Sequence, residues 1–325
     1  MQENSRRHFL AAGAAAAAAW GLPLASRAAA PYPDKSVRVI VPFPAGGTTD
    51  VVARLTMQKL GELTGQSFVV DNKGGANGVI GTELAARAAP DGYTLLMNTA
   101  GAQTLSPVLY KTGYEALSSF EPISHLCDVG FVVIARKDLP VGSLQELIAM
   151  ARQGKPLSAS SGSSMISLIT EQFKKVIGVP GIVNAQYKGT APQMQAVVAG
   201  EVDFSFDSFT SVEMIRTGKV KALAVLLPQR AEAFPQVPTI KEAGVDGMGF
   251  SSWSGLLAPR GTPKDIVAQL AQRMDAIMQM PDVLAKLKGY NYLPRRGTPE
   301  EFARLIESDN ERWKRIVKES NFKAE

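Results

Sequence analysis

The chain has 325 residues, 20% of them charged and 45% hydrophobic, with 29 glycines and 20 prolines. This globular composition argues against a collagen-like or disordered chain, and the length suffices for about two domains, each with its own core. The single cysteine, Cys127, and the two histidines, His8 and His125, argue against an internal disulfide, a thiolate or histidine-rich metal site and a Ser-His-Asp triad.

The net charge of +5 does not indicate a nucleic-acid-binding protein. The first 30 residues contribute +2 of it, through Arg6, Arg7 and Arg27 against Glu3. The remaining charges are mixed in sign, with no run of five like charges. Because non-specific phosphate binding requires a concentrated basic face, we expect no nucleic-acid partner.

Residues 1–30 have the layout of an export signal. The segment Ser5–Leu10 contains paired arginines followed by Phe-Leu, as in a bacterial twin-arginine signal. An alanine-rich apolar stretch follows, interrupted by glycine and proline and too weakly apolar for a membrane span. The small residues Ala28–Ala30 then suit a signal peptidase. We expect cleavage after Ala28 or Ala29 and a mature protein in the periplasm.

The first third of the mature chain alternates short apolar runs with amphipathic segments. The pattern predicts strands at Ser36–Phe43, Gln66–Asp71 and Tyr93–Met97, with helices following Thr48–Asp50 and the glycine-rich loop Gly74–Gly78. This β-α-β-α-β order implies a parallel sheet with helices on its faces.

Beyond Leu105 the pattern becomes irregular and then resumes. We predict further strands at Phe131–Ala135, Ser158–Ser161, Val183–Tyr187, Asp203–Phe206, Val220–Leu226 and Phe250–Ala258, and helices at Ser143–Arg152, Met165–Ile177 and Pro192–Ala199. Three C-terminal helices, at Pro263–Met280, Pro281–Lys288 and Pro299–Asn321, are accompanied by too few strands to form a domain. We expect them to pack on the first sheet.

These elements predict an α/β protein with two parallel-dominated sheets and flanking helices. Domain 1 would be discontinuous, comprising residues 31–127 and 249–325, and domain 2 would comprise residues 128–248. The chain would cross between the domains twice, and two such crossings form a hinge.

The loop Ala45–Asp50 lies where a ligand site is expected, between a strand and a helix start. Gly46 and Gly47 remove side chains, so that backbone N–H groups can approach an anion at the positive end of the helix. The same glycines could serve only a tight turn, and both interpretations remain open. The loop matches neither the G-x-G-x-x-G motif nor the G-x-x-x-x-G-K-[ST] motif of nucleotide-binding proteins, so a nucleotide ligand is poorly supported.

The second unit offers three comparable loops, each after a predicted strand: Ser160–Ser164, Tyr187–Pro192 and Phe206–Ser211. Their hydroxyls and N–H groups suit a small carboxylate. Any one such loop is more readily a solvated turn, but several of them, all after strands, favour a ligand cleft. Asp207 could pair with a ligand ammonium or only cap the next helix. Lys188 could meet an anion, but a loop lysine is usually solvated.

Several of these segments, in this order, resemble the Bug family, the TctC-like periplasmic solute receptors of tripartite tricarboxylate transporters. The matching segments are Pro33–Asp50, Asn72–Gly81, Pro90–Leu96, Tyr187–Gly189 with Pro192, Gly200–Asp203, Pro235–Thr239 and Ala258–Pro263. The resemblance covers the whole mature chain and implies a two-lobed, type II-like periplasmic binding protein that closes on a small carboxylate. It also implies that the protein is not an enzyme and has no cofactor or metal.

The resemblance assigns ligand-binding positions to both lobes. In the first lobe they are Ala45, Gly46, Gly47, Thr49 and Asp50, with Thr99, Ala100 and Gln103 nearby. In the second lobe they are Gly162, Ser163, Tyr187, Gly189, Thr190, Ala191 and Asp207. The expected ligand is a di- or tricarboxylate, an amino acid or an aromatic acid. The expected protein partners are the large and small integral-membrane transporter subunits, and we expect a monomer.

One position departs from the family pattern. Met165 stands in a stretch where relatives often carry a polar residue such as histidine, which leaves the particular ligand open. Two alternatives to a transport receptor also remain: a sensor that presents its ligand to a membrane signalling protein, and a periplasmic enzyme.

Overall fold

The structure, a computed structural model, describes residues 32–320. The predicted signal peptide lies outside the described residues. The described chain alternates strands and helices, as the sequence pattern predicts, and its strands form two sheets.

The first sheet has six strands among the described residues. They are β1 (Val37–Val41), β2 (Phe68–Asn72), β3 (Thr94–Thr99), β4 (Phe120–Gly130), β10 (Ser251–Pro259) and β11 (Leu293–Pro294), in the order β11-β4-β10-β3-β1-β2. β1 is a run of valine and isoleucine with an arginine at its second position, and it is buried between the parallel neighbours β2 and β3. β-Branched residues suit such a position because they pack well on both faces of a covered sheet.

The second sheet is built from the middle of the chain. Its strands are β5 (Val132–Arg136), β6 (Ser158–Ser161), β7 (Val183–Gln186), β8 (Phe204–Asp207) and β9 (Val220–Val225), in the order β7-β6-β8-β5-β9. β6 runs parallel to both β7 and β8, so the loops that follow these three strands emerge at one edge of the sheet.

The α/β class with two sheets and flanking helices is confirmed, but both sheets are mixed and not dominated by parallel pairs. In the first sheet β4, β10 and β11 pair antiparallel, and in the second sheet β5 pairs antiparallel with β8 and β9. Of these strands, β4, β5, β9 and β10 flank the two places where the chain passes from one sheet to the other. β4 leads directly into β5, and β10 is the first strand after the chain returns from the second sheet. Neither strand is therefore joined to a neighbour in its own sheet by a helical crossover.

The described helices are α1 (Thr48–Thr64), α2 (Val79–Ala86), α3 (Ser106–Leu109), α4 (Leu144–Arg152), α5 (Ser164–Ile177), α6 (Thr190–Ala199), α7 (Val212–Arg216), α8 (Lys264–Ile277), α9 (Pro281–Gly289) and α10 (Pro299–Ser320), with one turn of π-helix at Gly101–Leu105. The short helices α3 and α7 were not predicted from the sequence, and the others begin and end close to their predicted bounds. Local signals set several ends: Ser143 caps α4, and left-handed glycines end α1, α5 and α6.

The C-terminal helices pack on the first sheet. α8 and α10 both contact β4, and α10 also contacts α5 beside the second sheet. At that second contact Lys175 of α5 pairs with Glu319 of α10 at 2.8 Å. Trp313 of α10 stacks on Phe250, which lies in the segment that returns the chain to the first sheet. None of the described helices is both long enough and apolar enough to cross a membrane.

Candidate functional site

A cavity of about 590 Å³ lies where loops of the two sheets meet. Its lining residues come from β4 and β10 and from the segments that follow β1, β2, β3, β4, β6, β7 and β8. They are Phe43–Thr49, Asn77, Thr99, Gly101, Ala102, Leu105, Ser106, Leu109, Tyr110, Val129, Phe131, Ser163–Ile166, Thr190, Ser208, Ser252 and Ser254. No charged side chain of the described residues lines this cavity. An anion there would therefore be bound by backbone N–H groups, hydroxyls and helix ends.

Helices α1, α5 and α6 all begin at the cavity. α1 and α6 start after Gly47 and Gly189, and no described side chain caps either start. α5 differs, because Ser163 Oγ accepts a hydrogen bond from Ile166 N. The uncapped first turns leave N–H groups available to a ligand and present the positive ends of two helix dipoles to it.

The first loop of the cavity, Pro44–Gly47, is held in place by the buried carboxylate of Asp50. Gly46 N donates to Asp50 Oδ2 at 2.8 Å, Arg54 Nε donates to the same oxygen at 2.9 Å, and Asn72 Nδ2 donates to Oδ1 at 2.9 Å. Burial by itself would raise the pKa of Asp50, but these three hydrogen bonds hold it below its ordinary value. Asp50 is only 2% exposed and does not line the cavity. It therefore shapes the loop from behind.

Gly46 is the residue of this loop that requires glycine. Its φ of +81° lies in the left-handed region, whereas the N-cap residue Gly47 has an extended backbone with a φ of −77°. A Cβ added at Gly47 would meet its nearest neighbour, Pro44 O, at 3.4 Å. The two glycines thus differ, since only Gly46 is required by its backbone conformation.

Beside the second sheet, Gly162 allows the loops after β6 and β7 to approach each other closely. Gly162 N donates to Gln193 Oε1 at 2.6 Å, and a Cβ on Gly162 would lie 2.4 Å from Gly189 O. Gln193 also donates to Ser205 Oγ at 2.8 Å. This close approach brings the starts of α5 and α6 to one place, so that Ser163 and Thr190 face the same cavity.

The predicted ligand-binding residues divide into two groups. Those that line the cavity are Ala45, Gly46, Gly47, Thr49, Thr99, Ser163 and Thr190. Those that do not are Asp50, Ala100, Gln103, Gly162, Tyr187, Gly189, Ala191 and Asp207. Ala100 and Gln103 are buried in the first unit, and Gln103 donates to Ala116 O at 2.5 Å.

Asp207 is engaged within its own loop. Its Oδ1 accepts from Thr210 Oγ1 at 2.5 Å, and its Oδ2 accepts from Ser211 N at 2.9 Å and Ser211 Oγ at 2.8 Å. The residue is 1% exposed. Asp207 thus braces the loop that precedes α7, and no described side chain caps that helix. The neighbouring Ser208 is the residue of this loop that lines the cavity.

Sequence reasoning missed the apolar part of the cavity. Leu105, Phe131, Met165 and Ile166 line it and belong to one buried apolar cluster, against which Leu109 packs. In the sequence these residues read as ordinary core positions. The one available signal was Met165, noted as an apolar departure in a stretch that is often polar in relatives.

Sequence reasoning also missed two hydroxyl groups of the wall. Ser252 and Ser254 of β10 face the cavity, and the intervening Trp253 lies on the other side of the sheet by strand alternation. Ser254 is 1% exposed, and its Oγ has no hydrogen-bond partner among the described residues; across the strands it pairs with Cys127. A buried hydroxyl without a partner at a cavity wall can bind a ligand oxygen.

A polar contact bridges the cavity between the two sheets. Tyr110 Oη lies 2.9 Å from Ser164 Oγ, and Asn77 Nδ2 donates to Tyr110 Oη at 3.1 Å. Asn77 lies in the loop Gly75–Gly78, all four residues of which have positive φ. Tyr110 follows α3 beside the first sheet, whereas Ser164 is the first residue of α5 beside the second. We call Asn77, Tyr110 and Ser164 the clasp.

Three further chemically active groups, Asp128, His125 and Cys127, do not line the cavity, although Cys127 pairs across the strands with the cavity residue Ser254. Asp128 accepts from Arg295 Nε at 2.6 Å and lies 2.7 Å from His125 Nε2, on the face of β4 opposite Val129. Burial raises the pKa of the Cys127 thiol to about 12, so it is protonated and unreactive at neutral pH. Among the described residues, no group of three or more His, Cys, Asp or Glu side chains is arranged to hold a metal ion.

Known proteins resemble this chain in both sequence and fold. The protein BugT of Bordetella pertussis is 35% identical over 301 residues, which cover 90% of this chain and 91% of BugT. The structure of the periplasmic binding protein BugD is 34% identical with a TM-score of 0.77, over 90% of this chain and 100% of that one. The structure of R. palustris Rpa4515 with adipate is 35% identical with a TM-score of 0.79, over 89% and 98% of the two chains.

The fold of these structures is that of two-lobed periplasmic binding proteins, which confirms the fold class predicted from the sequence. Residues 52–322 match the family described as tripartite tricarboxylate transporter family receptor. This chain therefore belongs to the family of tripartite tricarboxylate transporter receptors, the TctC or Bug proteins.

Proposed function

We propose that this protein is a receptor that captures a small carboxylate in the cavity between its two sheets and delivers it to the membrane subunits of a tripartite tricarboxylate transporter. The observation that carries the proposal is the meeting of two uncapped helix starts, α1 and α6, in a cavity without charged side chains. Such a site attracts an anion through backbone N–H groups and helix dipoles. The structure of Rpa4515 with adipate supports a carboxylate as the anion.

The proposed domain organisation follows the two sheets. Residues 31–127 and 249–325 would form one lobe and residues 128–248 the other, except that residues 128–130 are the end of β4 and so belong with the first sheet. The chain passes to the second sheet between Gly130 and Val132 and returns between Val225 and Ser251, which supports a hinge with two crossings. Closure of the lobes would bury the ligand against groups from both sheets.

The proposal places the mature protein in the periplasm, as a monomer, after cleavage of the signal peptide behind Ala28 or Ala29. Its partners there are the carboxylate and the transporter's large and small membrane subunits. It is not an enzyme: it binds the ligand and releases it unchanged. The cavity supports this, because the groups that face it are hydroxyls, amides and apolar side chains. These groups do not form the nucleophile–base pair that catalysis of acyl transfer needs.

Binding of adipate and of its diamide, adipamide, tests the proposal by isothermal titration calorimetry. The two compounds share a carbon chain and differ in charge, so adipamide reports on shape alone. We expect saturable binding of adipate or of another acid from a panel of small carboxylates, and at least about tenfold weaker binding of the matching amide. Equal binding of acid and amide, or chemical turnover of the acid as measured by mass spectrometry, would contradict the proposal.

A further inference from the structure

We infer that Gln193 is the positioning residue for the part of the ligand site that the second sheet contributes. This inference rests on the proposed function and deepens it, because it names the residue that sets the geometry on one side of the cavity. Gln193 belongs to α6 and is 1% exposed. It does not line the cavity, so it acts on a ligand only through the residues that do.

The second sheet contributes hydroxyl groups to the cavity from three separate segments. Ser163 follows β6, Thr190 begins α6 after β7, and Ser208 follows β8. A ligand that contacts more than one of these hydroxyls requires them at fixed relative positions, because a displacement of about 1 Å takes a hydrogen bond out of its favourable range. Some group must therefore hold the three segments in register.

The side-chain amide of Gln193 joins these three segments. Its Oε1 accepts from Gly162 N, in the loop after β6, at 2.6 Å. Its Nε2 donates to Ser205 Oγ at 2.8 Å and to Phe206 O at 2.9 Å, both at the end of β8. The third segment is its own helix, in which Gln193 lies about one turn after Thr190.

The orientation of this amide is set by its partners. Gly162 N is a donor and requires the amide oxygen, whereas Phe206 O is an acceptor and requires the amide nitrogen. A flipped amide would place donor against donor and acceptor against acceptor. Because Gln193 is buried, each lost partner would leave a buried polar group unsatisfied, which is costly. The amide therefore favours one arrangement of the three segments.

The backbone around Gln193 is tied to the same strands. Ser160 Oγ of β6 donates to Gln193 O at 3.2 Å, and Ser205 Oγ of β8 donates to Ser160 O at 2.7 Å. Gly162 has no room for a side chain, because a Cβ there would lie 2.6 Å from Gln193 Oε1. In such close packing, a change of the side chain at residue 193 displaces the loops that carry the cavity hydroxyls.

Gln193→Met tests the inference, because methionine is similar in length and flexible but has no amide. The probe is adipate, measured by isothermal titration calorimetry; succinate, glutamate or benzoate replaces it if the wild-type protein does not bind adipate. We expect Gln193→Met to bind the probe at least about tenfold more weakly than the wild-type protein. Circular dichroism and the melting curve without ligand verify that the variant folds.

Asp203→Ala is the matched control, since Asp203 ties together the opposite ends of the same strands. Its Oδ2 accepts from Ser158 N at 2.9 Å, and its Oδ1 accepts from Arg136 Nε at 3.0 Å. Asp203 does not line the cavity. We expect this variant to melt at a lower temperature but to bind the probe within about twofold of the wild-type affinity. The control thus measures what destabilising the second sheet does by itself.

Gln193→Glu adds a pH profile that a purely structural role would not produce. The protonated carboxyl keeps one donor and one acceptor for Phe206 O and Gly162 N, whereas the ionised form offers acceptors only. Burial favours the protonated form. The affinity of this variant relative to the wild type should be close to one at about pH 6 and fall as the pH rises to about 9. The neighbouring Lys188 and Asp207 are present in both proteins, so this ratio reports on residue 193.

The outcomes separate this inference from the proposed function. If Gln193→Met folds and binds the probe as tightly as the wild type, or if Asp203→Ala loses as much affinity, the inference is overturned while the carboxylate receptor stands. A relative affinity of Gln193→Glu that does not change with pH also overturns it, and this profile decides alone if Gln193→Met does not fold. If none of the four acids binds the folded wild-type protein, the proposed function fails and this inference falls with it.

Discussion

Removing one hydroxyl from the clasp should weaken ligand binding without unfolding the protein. Tyr110→Phe keeps the ring at the cavity wall and removes the 2.9 Å contact with Ser164 Oγ. That contact joins segments beside different sheets, so opening of the proposed hinge would break it. A neutral hydrogen bond contributes a net 0.5–1.5 kcal/mol, about 1 kcal/mol on average. Losing about 1 kcal/mol of closed-state stability corresponds to about fivefold weaker binding.

The assay is calorimetry with the tightest-binding carboxylate, together with stopped-flow measurement of the dissociation rate. We expect most of the loss to appear as faster dissociation, because an open protein can still admit the ligand. Tyr290→Phe is the matched control, since Tyr290 is 52% exposed and does not line the cavity. Ser164→Ala removes the other half of the contact, and the double variant completes a double-mutant cycle.

The double-mutant cycle decides whether loss of the Tyr110–Ser164 contact is the cause of the weaker binding. If the two hydroxyls act on each other, the double variant should bind about as weakly as either single variant. Strictly additive losses would indicate two unrelated effects. Unchanged affinity and dissociation rate in Tyr110→Phe would refute the argument that this contact stabilises the closed form.

Three further predictions concern the loop, the C-terminal helix and the leader. Gly46→Ala should lower the melting temperature and abolish carboxylate binding, because an L side chain is strained at a φ of +81°, whereas Gly47→Ala should melt like the wild type; the reverse order would refute this assignment. Asp309 is partly buried, and the resulting desolvation raises its pKa above its ordinary value of 3.8, so its contribution to stability is lost as the pH rises through that raised pKa. Asp309→Asn should therefore raise the free energy of unfolding at pH 7 and leave it nearly unchanged below about pH 3.8, as measured by urea denaturation. Changing Arg6 and Arg7 together to lysine should retain the precursor in the cytoplasm, and undiminished periplasmic protein on cell fractionation would exclude a twin-arginine signal.

The sequence predicted the regular elements where local signals are strong. The β-branched run of β1 and the Ser143 cap of α4 lie where the pattern placed them. The longest strand, β4 at Phe120–Gly130, was missed. Its Pro122 and Asp128 interrupt the apolar pattern that normally marks a buried strand. Pairing with β10 and the bond of Asp128 to Arg295, 167 residues away, stabilise it instead, and neither is visible in a local window.

By itself the sequence determined the α/β class, the family resemblance and the loops that reach the cavity, since each of these depends on short-range patterns of glycines, hydroxyls and helix starts. Only the tertiary structure decided which side chains of those loops face the cavity. Asp50 and Asp207 are turned inward by partners that spacing alone cannot reveal. Phe131, Met165 and Ser254 come from distant segments and meet only because two sheets are placed against each other. A cavity is a product of long-range packing, so its chemistry is set by contacts that no local pattern encodes.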